Sequence, residues 1–265
     1  MINKKIAIIG CGNLGTALLK GLLDGSKFPA ENITVTKRNT RSLSTFAERG
    51  VTVTADNVKA IEGAEIVLLA LKPHHIIEVL ERLTPQFKAK ERVLVSLATG
   101  ITIEQLEKVV GGSVPIFRAM PNTAADVNQS LTCLCSNNDD ETAYGWIESL
   151  FSEIGKTQRI EEQLMEAATV LGACGIAYVL RFIRAMVQGG IQIGFDAETA
   201  SFIVNQTVKG AAQLLIQNGE HPEQEIDKVT TPKGCTIEGL NEMEHNGFSS
   251  ALIKGIVTSF EKIEK

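Results

Sequence analysis

Gly10, Gly12 and Gly15 stand in a G-x-G-x-x-G spacing, directly after the apolar run Ile6–Ile9 and ahead of a helical pattern over Thr16–Leu23. A strand, a glycine turn and a helix in that order turn backbone amides and the positive end of a helix dipole toward an anion. Gly10 permits the tight turn, Gly12 lets a pyrophosphate approach the backbone, and Gly15 lets helix and strand pack closely. The spacing alone is weak, because a plain tight turn carries the same residues. Its place between strand and helix makes it a dinucleotide signature. A second set of residues follows the β-branched run Asn32–Thr36: Lys37, Arg38, Asn39 and Thr40. An acidic residue here would bind a ribose 2′-hydroxyl and repel a 2′-phosphate. Two cations instead welcome the phosphate, and an arginine can grip it with two parallel hydrogen bonds. The expectation is NADP(H) as the preferred dinucleotide, with NAD(H) still usable. A solvated basic loop is the plainer alternative.

The elements that must hold these residues alternate. After Asn32–Thr36 come a helix over Arg41–Gly50, a short strand over Val51–Thr54 and a buried strand over Gly63–Leu71. Proline stops that strand at Lys72-Pro73. Ligands of open α/β sheets sit beyond the carboxyl ends of the strands, so Ala70–Pro73 faces the cofactor. Lys72 reads equally well as a functional cation or a solvated strand end. His74 and His75 fall in the first turn of a helix through Ile76–Leu83, and with no third ligand they read as surface residues. Arg92–Leu97 is the next strand, ending in the small residues Ala98-Thr99-Gly100. Thr102–Val110 is a helix with Thr102 as N-cap and Gln105 closing a capping box. Strands over Val114–Arg118 and Leu131–Cys135 and a helix over Asp140–Ile154 complete the alternation. From Glu161 onward the periodicity is helical: Glu161–Gly189, Asp196–Asn218 and Thr236–Lys262. Strands with helices followed by helices alone predict an α/β Rossmann-type domain with a mostly parallel sheet over 1–160 and an all-α domain over 161–265. One helical face carries Ile176, Val179, Leu180, Ile183 and Met186. So broad an apolar stripe in so small a domain predicts burial against a second copy.

The 265 residues are 44% hydrophobic with a net charge of −5, and the mean hydropathy is +0.08. Dispersed basic residues under a negative net charge argue against a nucleic-acid partner. No apolar run is seen to approach the roughly 20 residues of a spanning helix, so no membrane partner is expected. The glycines interrupt the opening apolar run at once, which excludes a signal peptide there and points to the cytoplasm. Cys11, Cys133, Cys135, Cys174 and Cys235 lack ligand-like spacing and read as packing residues, and no metal is expected.

At Arg118-Ala119-Met120-Pro121-Asn122-Thr123 the chain resembles the pyrroline-5-carboxylate reductases. The resemblance extends over nearly its whole length, through IGCGNLG, ALKP at Ala70–Pro73, SLATG at Ser96–Gly100, AYVLRFIRAM at Ala177–Met186, NGEHP at Asn218–Pro222 and VTTPKGCTIEGL at Val229–Leu240. It implies hydride transfer from NAD(P)H to the imine carbon of 1-pyrroline-5-carboxylate, giving L-proline in the last step of proline biosynthesis. It also implies a helical domain that forms a homodimer, and larger rings of dimers occur in the family. The cofactor residues it carries over are Ile9, Gly10, Cys11, Gly12, Asn13, Leu14 and Gly15 at the pyrophosphate, and Lys37, Arg38, Asn39 and Thr40 at the adenosine end. Asn57 lies along the adenosine, Ala70, Leu71, Lys72 and Pro73 along ribose and nicotinamide, and Leu97, Ala98 and Thr99 beside the nicotinamide. The loop before the final helix holds the substrate carboxylate through Thr231, Gly234, Cys235 and Thr236, its amides aided by the helix dipole. Thr236, the catalytic residue so implied, hydrogen-bonds the ring nitrogen. Glu161 matches a substrate-site glutamate. Ordinary helix capping is the alternative for both Thr231 and Thr236.

The family's usual Ser-Pro-Gly-Gly is here Thr231-Pro232-Lys233-Gly234, so a lysine stands where a positive φ would strain it, or where it adds a cation beside the carboxylate. Gly172–Ile176 also departs from the family's serine-glycine run, Ala124 replaces a proline, and Asn128 and Ser130 replace glycines. These changes bear on substrate and turnover. Two other readings share the two-domain plan: a different imine or β-hydroxyacid reductase, and a non-catalytic NADPH-binding protein. A substrate-dependent oxidation assay separates them.

Overall fold

A computed structural model describes residues 2–25 and 27–263. In chain order the elements of the first part are β1 Ile6–Ile9, α1 Asn13–Asp24, β2 Ile33–Thr36, α2 Ser44–Glu48, β3 Thr52–Thr54, α3 Asn57–Ile61, β4 Ile66–Leu69 and α4 Pro73–Ala89. They continue with β5 Val93–Ser96, α5 Ile103–Val110, β6 Ile116–Met120, β7 Ser130–Ser136, α6 Glu141–Phe151, β8 Gly155–Arg159 and α7 Met165–Ala168. The eight strands form one sheet in the order β3-β2-β1-β4-β5-β6-β7-β8. Every pairing is parallel except β6 with β7. The first six strands follow the doubly wound order, whose direction of winding reverses between β1 and β4.

Burial on both faces explains why β1, β4 and β5 read as unbroken apolar runs. Ile6 and Ile8 face one core, with Leu18, Leu22, Phe117 and Phe151. Ala7 and Ile9 face the other, with Ile76, Leu80, Leu83 and Leu106. Fully burying an apolar side chain of this size contributes about 1.5–3 kcal/mol. The capping box of α5 is present as read: Thr102 accepts from the Gln105 amide, and the Gln105 side chain accepts from the Thr102 amide.

β8 was not foreseen. Its sequence, Gly155-Lys156-Thr157-Gln158-Arg159, has no apolar alternation, and it forms as an edge strand on the open side of β7. The run expected as one helix over Glu161–Gly189 begins with a 3-10 turn, Glu162–Leu164, and includes a π segment, Thr169–Cys174. Helical structure is continuous over Glu162–Gln192, long and apolar enough to cross a membrane by length and composition, with a mean hydropathy of 1.7 in its most apolar window. This corrects the sequence reading. Arg181 and Arg184 interrupt the apolar run on paper, but a helix carries the apolar stripe past them.

The chain divides into two compact units, Met1–Cys174 with Ile263–Lys265, and Gly175–Lys262. The division falls later than the change of periodicity near residue 160, because Met165, Thr169 and Val170 are buried in the first unit. The second unit contains α8 Gly175–Gln192, α9 Ala197–Asn218, α10 Pro222–Val229, α11 Cys235–His245 and α12 Phe248–Ile263. α10 was not foreseen, and the expected helix Thr236–Lys262 is two, separated at Asn246-Gly247, where Gly247 has φ 79°. The buried apolar cluster of this unit is small: Val187, Ala200 and Val204. Leu180, Phe182, Phe202 and Ile216 are exposed on the isolated chain.

Candidate active site

Four loops leave the carboxyl ends of adjacent parallel strands, and backbone hydrogen bonds stitch them together. The Cys11 amide donates to the Thr36 carbonyl (2.7 Å), joining the glycine turn to β2. The Ala70 amide donates to the Ile9 carbonyl (2.9 Å), and the Leu97 amide to the Leu69 carbonyl (3.1 Å). Gly10–Gly15, Lys37–Thr40, Ala70–Pro73 and Leu97–Thr99 are thereby held at one end of the sheet, at the switch point where dinucleotides bind.

The three glycines differ in what a side chain there would meet. Gly10 has φ +93°, and a Cβ there would meet the Leu71 side chain and stand 2.9 Å from the Ala70 carbonyl oxygen. A Cβ on Gly15 would stand 2.7 Å from the Gly10 carbonyl oxygen, so this glycine allows α1 to approach the turn. A Cβ on Gly12 would meet nothing within 4 Å. Gly12 is the N-cap of α1, whose first turn has no acidic residue and whose cap makes no side-chain hydrogen bond among the described residues. Free amides, no competing carboxylate and open space above Gly12 fit a pyrophosphate.

Lys37 is half-buried and Arg38 and Asn39 are exposed. The Asn39 side chain accepts from the Arg41 amide, opening the 3-10 turn Thr40–Leu43. Asn57 starts α3, half-buried, behind the Asp56 cap that accepts from Val58 and Lys59. Lys72 and Pro73 are exposed at the start of α4, with His74 and His75 exposed beside them. Leu97 and Ala98 are buried and Thr99 is half-buried. Of the cysteines read as packing residues, Cys11, Cys133 and Cys135 are buried, whereas Cys174 is half-buried and Cys235 exposed. Burial pushes the Cys11 thiol up, partly offset by the Thr16 hydroxyl and Lys37, and pushes Cys135 up to about 11. These two are therefore neutral thiols at physiological pH. Among the described residues no group of three or more His, Cys, Asp or Glu is arranged to hold a metal ion.

In the second unit, Thr231, Cys235 and Thr236 are exposed and Gly234 half-buried at the N-terminus of α11. The Gly234 amide donates to the Thr231 carbonyl (2.9 Å), closing a turn with Pro232 and Lys233 at its corners. Lys233 has φ 60°, the conformation a type II turn asks of its second corner. A Cβ on Gly234 would stand 2.6 Å from the Thr231 hydroxyl oxygen and 3.0 Å from the Thr231 carbonyl oxygen, so a side chain there would displace Thr231. Capping was the plainer role for Thr231 and Thr236, yet α11 has Gly234 as its N-cap and no side-chain cap bond. Among the described residues neither hydroxyl makes a hydrogen bond, and both stand near the start of α11.

Glu161 is exposed and accepts from the Gln163 side chain. The next residue is the one tied into the protein. Glu162 Oε1 accepts from the Ile103 amide (2.7 Å) and from Arg118 Nη1 (3.1 Å), while Arg118 Nη2 donates to Glu166 Oε1 (2.7 Å). Arg118 is 2% exposed. Sequence reading missed this triad and the role of Asn122, whose side chain accepts from the Ala124 amide and donates to the Gly172 carbonyl. The signal was present: a lone arginine in the apolar strand IFRAM, and glutamates four apart on a helix.

Two family descriptions match the chain. The family "Pyrroline-5-carboxylate reductase dimerisation" matches residues 162–265, and "NADP oxidoreductase coenzyme F420-dependent" matches residues 5–100. The chain is 43% identical to pyrroline-5-carboxylate reductase 1 of Dictyostelium discoideum over 97% of its own length, spanning 49% of that relative. It is 39% identical to pyrroline-5-carboxylate reductase 2 of the same organism, covering 99% of this chain and 93% of the other. The solved Plasmodium falciparum pyrroline carboxylate reductase with NADP bound superposes with a TM-score of 0.90 at 27% identity, covering 99% of this chain and 98% of that one. The chain belongs to the pyrroline-5-carboxylate reductases, oxidoreductases that reduce the C=N bond of a cyclic imino acid to give proline.

Proposed function

We propose that this chain reduces 1-pyrroline-5-carboxylate to L-proline, with NADP(H) as preferred dinucleotide and NAD(H) usable, through the residues named above. The observation that carries this reading is the row of adjacent strand ends, β2-β1-β4-β5, joined by backbone hydrogen bonds and carrying an uncapped helix N-terminus beside Lys37 and Arg38. Ile9–Gly15 hold the pyrophosphate. Lys37, Arg38, Asn39, Thr40 and Asn57 hold the adenosine end, and Ala70–Pro73 and Leu97–Thr99 line the nicotinamide and its ribose. When bound, the reduced nicotinamide supplies the hydride that the imine carbon accepts. The imine must be protonated to be electrophilic. The Thr236 hydroxyl suits a hydrogen bond to the ring nitrogen, and the Cys235 amide that opens α11, with Thr231 and Gly234 beside it, suits the carboxylate. Glu161 completes the substrate side.

Residues 1–160 serve as the dinucleotide domain and 161–265 as the substrate and dimerisation domain. Three buried residues are too small a core for the helical unit alone, so a second copy covers its exposed apolar faces and the protein works as a homodimer. The same surface explains the apolar helical run without a bilayer, since Arg181 and Arg184 would be costly in lipid. Assembly of dimers into larger rings and a cytoplasmic location, with neither nucleic acid nor membrane as partner, belong to the same reading.

The test is an assay of the purified protein with pyrroline-5-carboxylate and NADPH or NADH, following loss of reduced-nicotinamide absorbance and formation of proline. Dinucleotide binding without substrate-dependent oxidation would make it a non-catalytic binder. Oxidation with a β-hydroxyacid partner instead would place it with the other reductases of this plan.

A further inference from the structure

Thr36 is the last residue of β2, just before the basic loop, and it is 2% exposed. Its side-chain oxygen accepts from the Gly10 amide (3.1 Å), and its carbonyl accepts from the Cys11 amide (2.7 Å). On the far side of the turn Gly10 abuts Leu71 and the Ala70 carbonyl. The turn is therefore gripped from β2 by a hydroxyl and a carbonyl, and from β4 by packing. Gly10 has φ +93°, a conformation glycine adopts freely but does not insist on. Something outside the turn must select it. Lys37, the next residue, is fixed in turn by its amide donating to the Thr54 carbonyl (3.3 Å). One residue thus stands between the pyrophosphate cradle and the cations expected at the 2′-phosphate.

We propose that Thr36 is a positioning residue for the dinucleotide: its hydroxyl oxygen holds the Gly10 amide so that the Gly10–Gly12 turn is set before the pyrophosphate arrives. The inference rests on the cofactor reading of these loops. A valine has the same shape and lacks the acceptor, so it leaves the Gly10 amide without a partner in a partly buried place. The pyrophosphate is common to both dinucleotides, so the loss falls on both alike. The chemical step lies away from this turn.

The experiment compares Thr36→Val and Thr36→Ser in steady-state kinetics with NADPH and with NADH, alongside direct titration of each dinucleotide. In Thr36→Val the KM and Kd of both dinucleotides rise by about tenfold and by the same factor, with kcat within about threefold of the parent, the effect of orphaning one such donor. Thr36→Ser keeps the oxygen and restores both affinities to within about twofold. Thr36→Ala, which removes the oxygen without crowding, gives the same reading if the valine variant does not fold. Unchanged affinity in Thr36→Val or Thr36→Ala overturns the inference. So does a loss confined to NADPH, which would assign Thr36 to the 2′-phosphate loop, and so does a serine variant as impaired as the valine. If the parent protein binds neither dinucleotide, the cofactor reading falls and this inference with it. Parent binding with unaffected variants overturns the inference alone.

Discussion

Replacing Arg118 by methionine removes the cation that two carboxylates share inside the first unit. The Arg118 side chain is 3% exposed, while those of Glu162 and Glu166 are 34% and 21% exposed. Surface pairs contribute about 0.2–1 kcal/mol, whereas removing one partner of a buried pair costs about 3–5 kcal/mol, because a charge is left unpaired. Here the arginine is fully buried and its partners retain some water, so the lower end of the buried range applies, about 3 kcal/mol. Glu162 also holds the Ile103 amide at the start of α5, so its displacement adds an orphaned donor. For a domain of this size about 3 kcal/mol lowers Tm by about 6–12 °C. The assay is thermal unfolding of Arg118→Met and of the parent, repeated in a Glu162→Gln, Glu166→Gln background. With no carboxylate left to strand, the same substitution should there cost under about 1.5 kcal/mol. A loss under about 1 kcal/mol in the parent background refutes the reasoning. Equal losses in both backgrounds would show that Arg118 acts through the packing of its stem and not through its charge.

Lys37→Ala combined with Arg38→Ala should weaken NADPH by about 10- to 100-fold, the range for losing charge-assisted bonds, and NADH by less than about threefold. Equal losses in titrations of the two dinucleotides would end the 2′-phosphate assignment. Thr236→Ala should lower kcat with pyrroline-5-carboxylate by about tenfold or more while the Kd for NADPH stays within about twofold; unchanged turnover removes Thr236 from the mechanism. Lys233→Gly relieves a left-handed φ costing about 1–2 kcal/mol and gives back about 0.4–1 kcal/mol of chain entropy, so chemical denaturation should show equal or slightly higher stability. A loss above about 1 kcal/mol would mean that the lysine side chain makes a stabilising contact. Asp196 caps α9, and hydrogen bonds from Thr199 and then the Glu198 amide hold its carboxyl below the usual carboxylate range. The group therefore adds stability above about pH 4, its unfolded value, and loses it as pH falls through the lower folded value. Tm measured from about pH 5 to 3 should fall less steeply in Asp196→Asn, which keeps a cap without the titration; identical slopes would refute the assignment.

What could be read from the sequence follows from where the physics is local. The strand, glycine turn and helix at Ile6–Leu23, the capping box Thr102–Gln105 and the buried runs of β4 and β5 are set by neighbours in the chain, and all are present. β8 has no such local cause. Gly155–Arg159 is polar, and it is a strand because β7 leaves an unpaired edge for it, a fact of the sheet and not of the segment. The π segment Thr169–Cys174 likewise carries no periodicity that differs from an α-helix. The break at Asn246-Gly247 hides within helical spacing, because a glycine costs a helix only about 1 kcal/mol and packing decides whether the chain turns there. In the candidate site the distinction is sharper. The resemblance points to Glu161, whereas the ties of the adjacent Glu162 to Ile103 and Arg118 join residues far apart in the chain and have no local signal. Two departures from the family's glycines were visible as letters, Asn128 and Lys233, and the backbone shows what they share: φ 55° and 60°. Asparagine tolerates that conformation and lysine does so less well, so the first exchange is nearly free and the second stores strain. That strain stands at the second corner of the turn that leads into α11.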